Sequence, residues 1–344
     1  MHLRVHPPIA YTTVMVIGNT RRPVPPMGWR ILRSGSTVWV LVGLVVMPVG
    51  CDRGRSGTAP RSATTQSAND GSLPASPSGP QRIISLAPNV TEILFALGQG
   101  HRLVGVSSYC TYPPEATRLP KCGGVMDTDL EKILTLRPDA IIIVGRHETV
   151  AQFCGRNDIP LVRISPNDMM ELYDAIRTIG RAVGCPAEAE RLVGKIKTDI
   201  ERVRSAVKDR RPIKAFLSIS RSPDRLKSPM TTNGAGFLSQ MLEAAGGINI
   251  FAGTDVPYPT IAVGEIIRRQ PEVIFELQPG QQPSEAQRHR MIGQWAELGS
   301  IPAVTHHRVY FITEDFATIL GPRVPLLAKR FAELLHPDLV GKLH

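Results

Sequence analysis

Two stretches of the chain repeat one plan. Leu130–Ile143 reads LEKILTLRPDAIII and Gly264–Leu277 reads GEIIRRQPEVIFEL, each in the order acidic residue, apolar helix, proline, acidic residue, apolar strand. Proline ends a helical pattern, since its ring removes a donor and clashes with the preceding turn. Each copy therefore predicts a helix that delivers the chain into a buried strand. Between the copies, Ala189, Leu192, Val193, Ile196, Ile200, Val203 and Val207 recur at helical spacing behind Pro186, a residue suited to a first helical turn. A helix of roughly 22 residues spans about 33 Å. Two similar halves on one stiff rod leave a cleft between them.

Both halves alternate short strands with helices, which predicts mainly parallel sheets flanked by helices, with ligands at the carboxyl ends of the strands. In the first half, Ile83, Ile84 and Leu86 form a strand that stops at Ala87-Pro88, and NVTEILFALG follows as a helix closed by Gly98. A second strand then leads into the loop containing Tyr109-Cys110-Thr111-Tyr112. The α/β body is thus two Rossmann-like lobes, 81–184 and 210–344, joined by a backbone helix over 185–209.

The 344 residues carry a net charge of +10, but the first 80 hold eight Arg and no Lys against Asp52 and Asp70, which is +6 of that total. The remainder shows no basic helix interleaved with aromatics, so nucleic acid is not the expected partner. Residues 1–50 read as a targeting leader. The apolar run Val38–Met47 is half the roughly 20 residues a spanning helix needs, and it precedes Pro48-Val49-Gly50-Cys51. The pattern resembles a bacterial lipoprotein signal in which Cys51 becomes the lipidated N-terminus, although Pro48 replaces the usual Leu. Residues 51–80 are rich in Ser, Thr, Pro and Gly and predict a flexible tether. A tether behind an anchor suits an exported body working close to a membrane, in a periplasm or on the cell surface.

Taken in order, ISLAPNVTEILFALG, YCTYPPEA, DLEKILTLRPD, the joining helix, GGINIF, VPYP and the late DF…GPR segment give a resemblance over about Arg82–Leu335. The chain resembles the helical-backbone class of periplasmic substrate-binding proteins of ABC importers, and within it the cobalamin-binding members. The resemblance implies a monomeric, non-catalytic receptor that captures a cobalt corrinoid between its lobes and passes it to an ABC permease. It implies ligand contacts from Pro88, Asn89, Tyr109, Met230, Tyr258, Asp315, Phe316 and Arg323. It also implies permease docking through one acidic residue near the start of the repeated helix in each lobe. Glu131 lies seven residues before Pro138, whereas Glu265 lies six before Pro271, and Gly264 holds the equivalent slot. Relatives often place aromatics where this chain has Val125 and Gly145. A ferric siderophore or haem is the alternative ligand, met by Tyr109, Tyr258, Arg323 and His147.

A corrin is broad, nearly flat and fringed with amides, so a cleft of aromatic faces with a few polar groups suits it. The body holds four cysteines, Cys110, Cys122, Cys154 and Cys185, an even number for an oxidising compartment. A Cys110–Cys122 bridge would brace the ligand loop, but three pairings, or four free buried thiols, fit the same count. Their spacing matches no zinc pattern, and His306-His307, read as adjacent on a strand, would point to opposite faces, so no resident metal is expected. No phosphate-binding Gly loop, GxSxG elbow or HExxH occurs. Asp315 with His306 would lack a nucleophile, so the expectation is binding without catalysis.

Overall fold

The computed structural model describes residues 79–222, 225–299 and 301–343. The expected leader, most of the expected tether and Cys51, the expected lipidation site, lie outside them. The elements run β1 (Ile83–Ser85), α1 (Pro88–Ala96), β2 (Leu103–Val106), α2 (Leu130–Leu136), β3 (Ala140–Val144), α3 (Glu148–Arg156), β4 (Leu161–Ile164) and α4 (Met169–Ala182) in the first lobe. Helix α5 (Pro186–Val207) leads to β5 (Ile213–Ser218), α6 (Phe237–Ala244), β6 (Gly247–Asn249), α7 (Val263–Arg269), β7 (Val273–Leu277), α8 (Glu285–Ala296), α9 (Pro302–Thr305), β8 (Val309–Ile312) and α10 (Val324–Leu335).

Each lobe is built on a four-stranded, wholly parallel sheet, in the orders β2-β1-β3-β4 and β6-β5-β7-β8. These are the same order, with each strand of the second lobe in the place of its counterpart. The central strands are mainly apolar because helices cover both faces, with Ser85, Lys214, Ser218 and Glu276 as the polar exceptions. Ile83 and Ile142 enter one core while Ile84, Ile141 and Ile143 enter the other, as strand alternation requires. The repeat is visible in backbone detail: α2 and α7 both end on a left-handed residue, Arg137 (φ 46°) and Gln270 (φ 49°), immediately before the proline. That register makes Gly264 the counterpart of Glu131.

Helix α5 buries Ala189, Val193, Ile196, Ile200, Val203 and Val207 in one stripe at alternating intervals of four and three. It packs against α4 of the first lobe and against α6 and α10 of the second. One hydrophobic core runs continuously from Ile83 through this stripe to Leu335. The joining helix is therefore part of both lobes' interiors rather than a tether between them.

His306 and His307 do not lie on a strand. His306 caps α9 and His307 takes a positive φ of 56°, turning the chain into β8, which begins at Val309. The opposite-faces expectation assumed a strand and does not apply to this turn.

The contact between α4 and α5 is set by Gly180, where an added Cβ would stand 2.4 Å from the Ala189 Cβ, whereas Gly194, exposed on α5, has nothing within 4 Å. Gly180→Val is expected to destabilise the protein by about 1–3 kcal/mol through overpacking. Gly194→Ala should stabilise by up to about 1 kcal/mol by restricting the unfolded chain and favouring helix. Urea unfolding midpoints check both signs.

Candidate functional site between the lobes

The carboxyl-end loop of each lobe's last strand rests on the first helix of the opposite lobe. After β4, the Asn167 carbonyl accepts from the Phe237 backbone N–H at the start of α6 (3.2 Å), and the Met169 N–H donates to Gln240 Oε1 (3.0 Å). After β8, the Leu320 carbonyl accepts from Asn89 Nδ2 at the start of α1 (3.3 Å). These reciprocal contacts turn the carboxyl edges of the two sheets toward one another and form a floor.

At the second of these crossings stands Arg323, just before α10. Its Nε and Nη2 donate to Glu92 of α1 at 3.0 and 2.6 Å, and its Nη1 and Nη2 donate to Asp315 at 2.8 and 3.1 Å. The Glu92 side chain is 2% exposed and that of Arg323 11%. Burial pushes the Glu92 carboxyl above the usual carboxylate range, and hydrogen bonding and charge from Arg323 offset only part of this. Burial also opposes the Arg323 charge, but its hydrogen bonds to Glu92 and Asp315 outweigh that and hold its pKa above the ordinary arginine value. The guanidinium carbon lies 3.8 Å from the centroid of the Tyr112 ring and 5.6 Å from that of Phe316. Asp315 is thus tied to Arg323, not to His306.

Pro88, Asn89, Asp315, Phe316 and Arg323 come together at this floor. Pro88 is the first residue of α1, following the extended Ala87. Asn89 is occupied twice, since its Oδ1 also accepts from the Val90 N–H (2.9 Å). Phe316 is half-buried against the main core. On the first-lobe rim, Tyr109 and Tyr112 are 47% and 42% exposed. The Tyr109 ring lies over Gly124, where a Cβ would approach it to 2.9 Å. On the second-lobe rim, Tyr258 is 37% exposed. Its backbone is fixed by antiparallel pairing: the Thr231 and Asn233 N–H groups donate to the Pro259 and Pro257 carbonyls, both at 3.0 Å. Met230 lies in the same pairing, bridged to Ser220 and Thr260, with a half-buried side chain. Glu131 and Glu265 stand apart from the floor, on α2 and α7.

Glu131 is exposed, whereas Glu265 turns back onto its own helix and pairs with Arg268 and with Arg269 (2.9 Å). Gly145 has φ of 75°, a conformation that favours glycine over an aromatic, and Val125 is half-buried beside Met126, which is 90% exposed. The His147 Nε2 lies 2.9 Å from the Val144 carbonyl. Glu92 escaped the sequence reading, although it was visible as the carboxylate inside an otherwise apolar helical run, whereas Tyr112 was expected on the ligand-facing rim as part of the Tyr109–Tyr112 loop but not as a ligand contact.

The Cys110–Cys122 bridge is not formed, and Cys110, Cys122, Cys154 and Cys185 are all free and buried. Cys110 packs with Ile83, Val106 and Ile142, and Cys122 with Ile84, Ile141 and Ile143, so they occupy opposite faces of the first sheet. Instead, Cys110 Sγ lies 3.1 Å from the donating Thr91 hydroxyl and 3.2 Å from that of Ser107. Burial pushes the Cys122 and Cys154 thiols up to about 11.

The sequence profile of the family Periplasmic binding protein matches residues 83–316, and the chain belongs to that family. The Vitamin B12-binding protein of Vibrio cholerae is 30% identical over 255 residues, covering 73% of this chain and 88% of the relative. An ABC transporter substrate-binding lipoprotein of Bacillus subtilis is 29% identical over 271 residues, covering 75% and 81% respectively. Among solved structures, the periplasmic vitamin B12 binding protein of Vibrio cholerae matches with a TM-score of 0.62 at 27% identity, covering 75% of this chain and 97% of that one. A periplasmic heme-binding protein of a Roseiflexus species in apo form matches with a TM-score of 0.60 at 27% identity, covering 74% and 99%. The protein is a periplasmic binding protein of the ABC-importer class, and its relatives are substrate-binding transport proteins. No helix among the described residues is long and apolar enough to cross a membrane.

In a Cys51→Ser protein, the four body thiols should stay unreactive toward a disulfide reagent at pH 8, because all four are buried, and all should react after unfolding without reductant. Two reactive thiols instead of four would mean that a bridge exists.

Proposed function

We propose that this protein captures a corrinoid, cobalamin or cobinamide, between its two lobes and delivers it to a membrane permease without catalysing a reaction on it. The observation that carries the reading is the division of labour at the cleft. Tyr109 and Tyr112 on the loop after β2 and Tyr258 on the loop after β6 stand half-exposed at the carboxyl ends of their sheets, while the Arg323 guanidinium is spent on Glu92 and Asp315. Rings with a free face suit a broad, amide-fringed macrocycle. A ligand presenting carboxylates, such as haem, would need a cation that Arg323 does not offer. The likeness to the Vibrio cholerae protein supports the same reading.

Delivery runs through the tops of the lobes. Glu131 is the exposed carboxylate suited to a cationic permease surface, and Glu265 contributes less because its charge is balanced by Arg268 and Arg269. Cys51 carries the lipid that keeps the body near the membrane, and residues 52–80 give it reach. The Bacillus subtilis lipoprotein supports that anchoring.

Calorimetric titration with cyanocobalamin, cobinamide, haem and ferric siderophores decides the ligand. Heat is the better readout, because Trp295 is wholly buried in the second lobe with its Nε1 bonded to Glu276 at 2.6 Å. Cyanocobalamin or cobinamide should bind, and Tyr258→Ala should weaken that binding by about tenfold or more, as loss of a central aromatic anchor does. Saturable binding of haem or a siderophore with no response to either corrinoid would overturn the assignment.

The joining helix and the floor contacts both restrict opening. X-ray scattering profiles of the free and cyanocobalamin-bound protein are therefore expected to be nearly superimposable. A large contraction on binding would show that the lobes move as in a hinged receptor.

A further inference from the structure

Arg323 bonds to both lobes, and that decides its role. Asp315 belongs to its own loop, eight residues away, and moves with it. Glu92 belongs to α1 of the other lobe, and Tyr112 lies on that lobe's loop after β2, with its ring 3.8 Å from the guanidinium carbon. The stack between Arg323 and Tyr112 is therefore itself an inter-lobe contact. It holds only if the guanidinium plane is kept in register with the first lobe. Glu92 supplies that register through a two-pronged pairing of fixed geometry, with both side chains nearly dry. Four of the five guanidinium N–H donors available to an arginine are used in this way, so little remains for a ligand.

We propose that Glu92, acting through Arg323, is a positioning residue: it holds the guanidinium as a platform beneath the Tyr112 ring and so presets the aromatic surface that the ligand meets. With Glu92 neutral, Arg323 keeps Asp315 and follows the second lobe, and the platform loses its fixed relation to Tyr112. The ring then pays the cost of ordering at the moment of binding, which lowers affinity without removing any ligand contact. The inference rests on the reading that the tyrosine-lined cleft is the ligand site, but the first arm of its test needs no ligand.

That arm uses the ligand-free protein labelled with 3-fluorotyrosine, the Tyr112 fluorine resonance being the one lost in Tyr112→Phe. Glu92→Gln should move this resonance toward its position in the unfolded chain and leave that of Tyr258 in place. Arg323→Lys, which keeps the charge but lacks the plane, should do the same, and it carries the test if Glu92→Gln does not fold. An unmoved Tyr112 resonance overturns the proposal, whatever binds. The second arm measures cyanocobalamin affinity. Glu92→Gln and Tyr112→Ala should each weaken it about tenfold, and the double variant should be no weaker than Tyr112→Ala alone, because coupled residues are not additive. Losses that multiply to about a hundredfold would make Glu92 independent of Tyr112 and overturn the proposal. If the unaltered protein does not bind cyanocobalamin, the ligand assignment fails and the fluorine result alone decides the role of Glu92.

Discussion

A carboxylate buried in the first helix and an arginine from the last loop hold the two lobes face to face. Taking both charges out of water is costly, and a buried pair of this kind is often no better for stability than apolar packing. Removing one partner is another matter, since the charge left behind costs about 3–5 kcal/mol. Glu92 and Arg323 thus do more to specify an arrangement than to strengthen one. A shifted second lobe would leave a dry carboxylate unpaired, and so would a shifted α1. Asp315 tempers this by giving the guanidinium a second, half-exposed partner within its own lobe.

The rest of the floor follows from the same geometry. Each lobe ends its sheet with a strand whose following loop crosses to the other lobe's first helix, at Asn167 against Phe237 and at Leu320 against Asn89. Only the second crossing carries the charged pair, so the repeat preserves the backbone plan while the side chains have diverged. Helix α5 adds a third link of a different kind, an apolar stripe continuous with both cores. Two polar crossings and one apolar strut constrain the lobes at three places, which leaves little freedom for a hinge.

Most of the fold was legible because it is written in local patterns. Proline after a helical run, a strand after that proline, and the same order repeated later were enough to place α2, β3, α7 and β7. A simple count along the chain likewise put Gly264, not Glu265, opposite Glu131, and the paired left-handed caps at Arg137 and Gln270 agree with it. What could not be read were facts of facing. Cys110 and Cys122 are close in sequence and sit in one loop system, yet the pleat sends them to opposite sides of a sheet. Glu92 looked like one polar residue in an apolar helix, and its partner lies 231 positions away. His306 and His307 looked like a strand because β8 follows at once, and the positive φ that separates them from it has no side-chain signature.

The backbone also bears on the two positions where the resemblance implied aromatics. Gly145 occupies a left-handed position at the carboxyl end of β3, where a side chain with a Cβ is strained. An aromatic there would need a different loop, not merely a different residue, so the wall above β3 is low by construction. Val125, in the loop before α2, is half-buried, and the most exposed apolar side chain of that loop is Met126. A flexible thioether adapts its shape to what lies against it, whereas an indole or phenol imposes its own plane. The exposed tyrosines on the carboxyl-end loops are Tyr109, braced on Gly124, Tyr112, stacked on Arg323, and Tyr258, held between two prolines. On the proposed reading, selectivity would rest on three oriented rings rather than on a continuous aromatic wall, and one of those rings lies against a guanidinium of the opposite lobe.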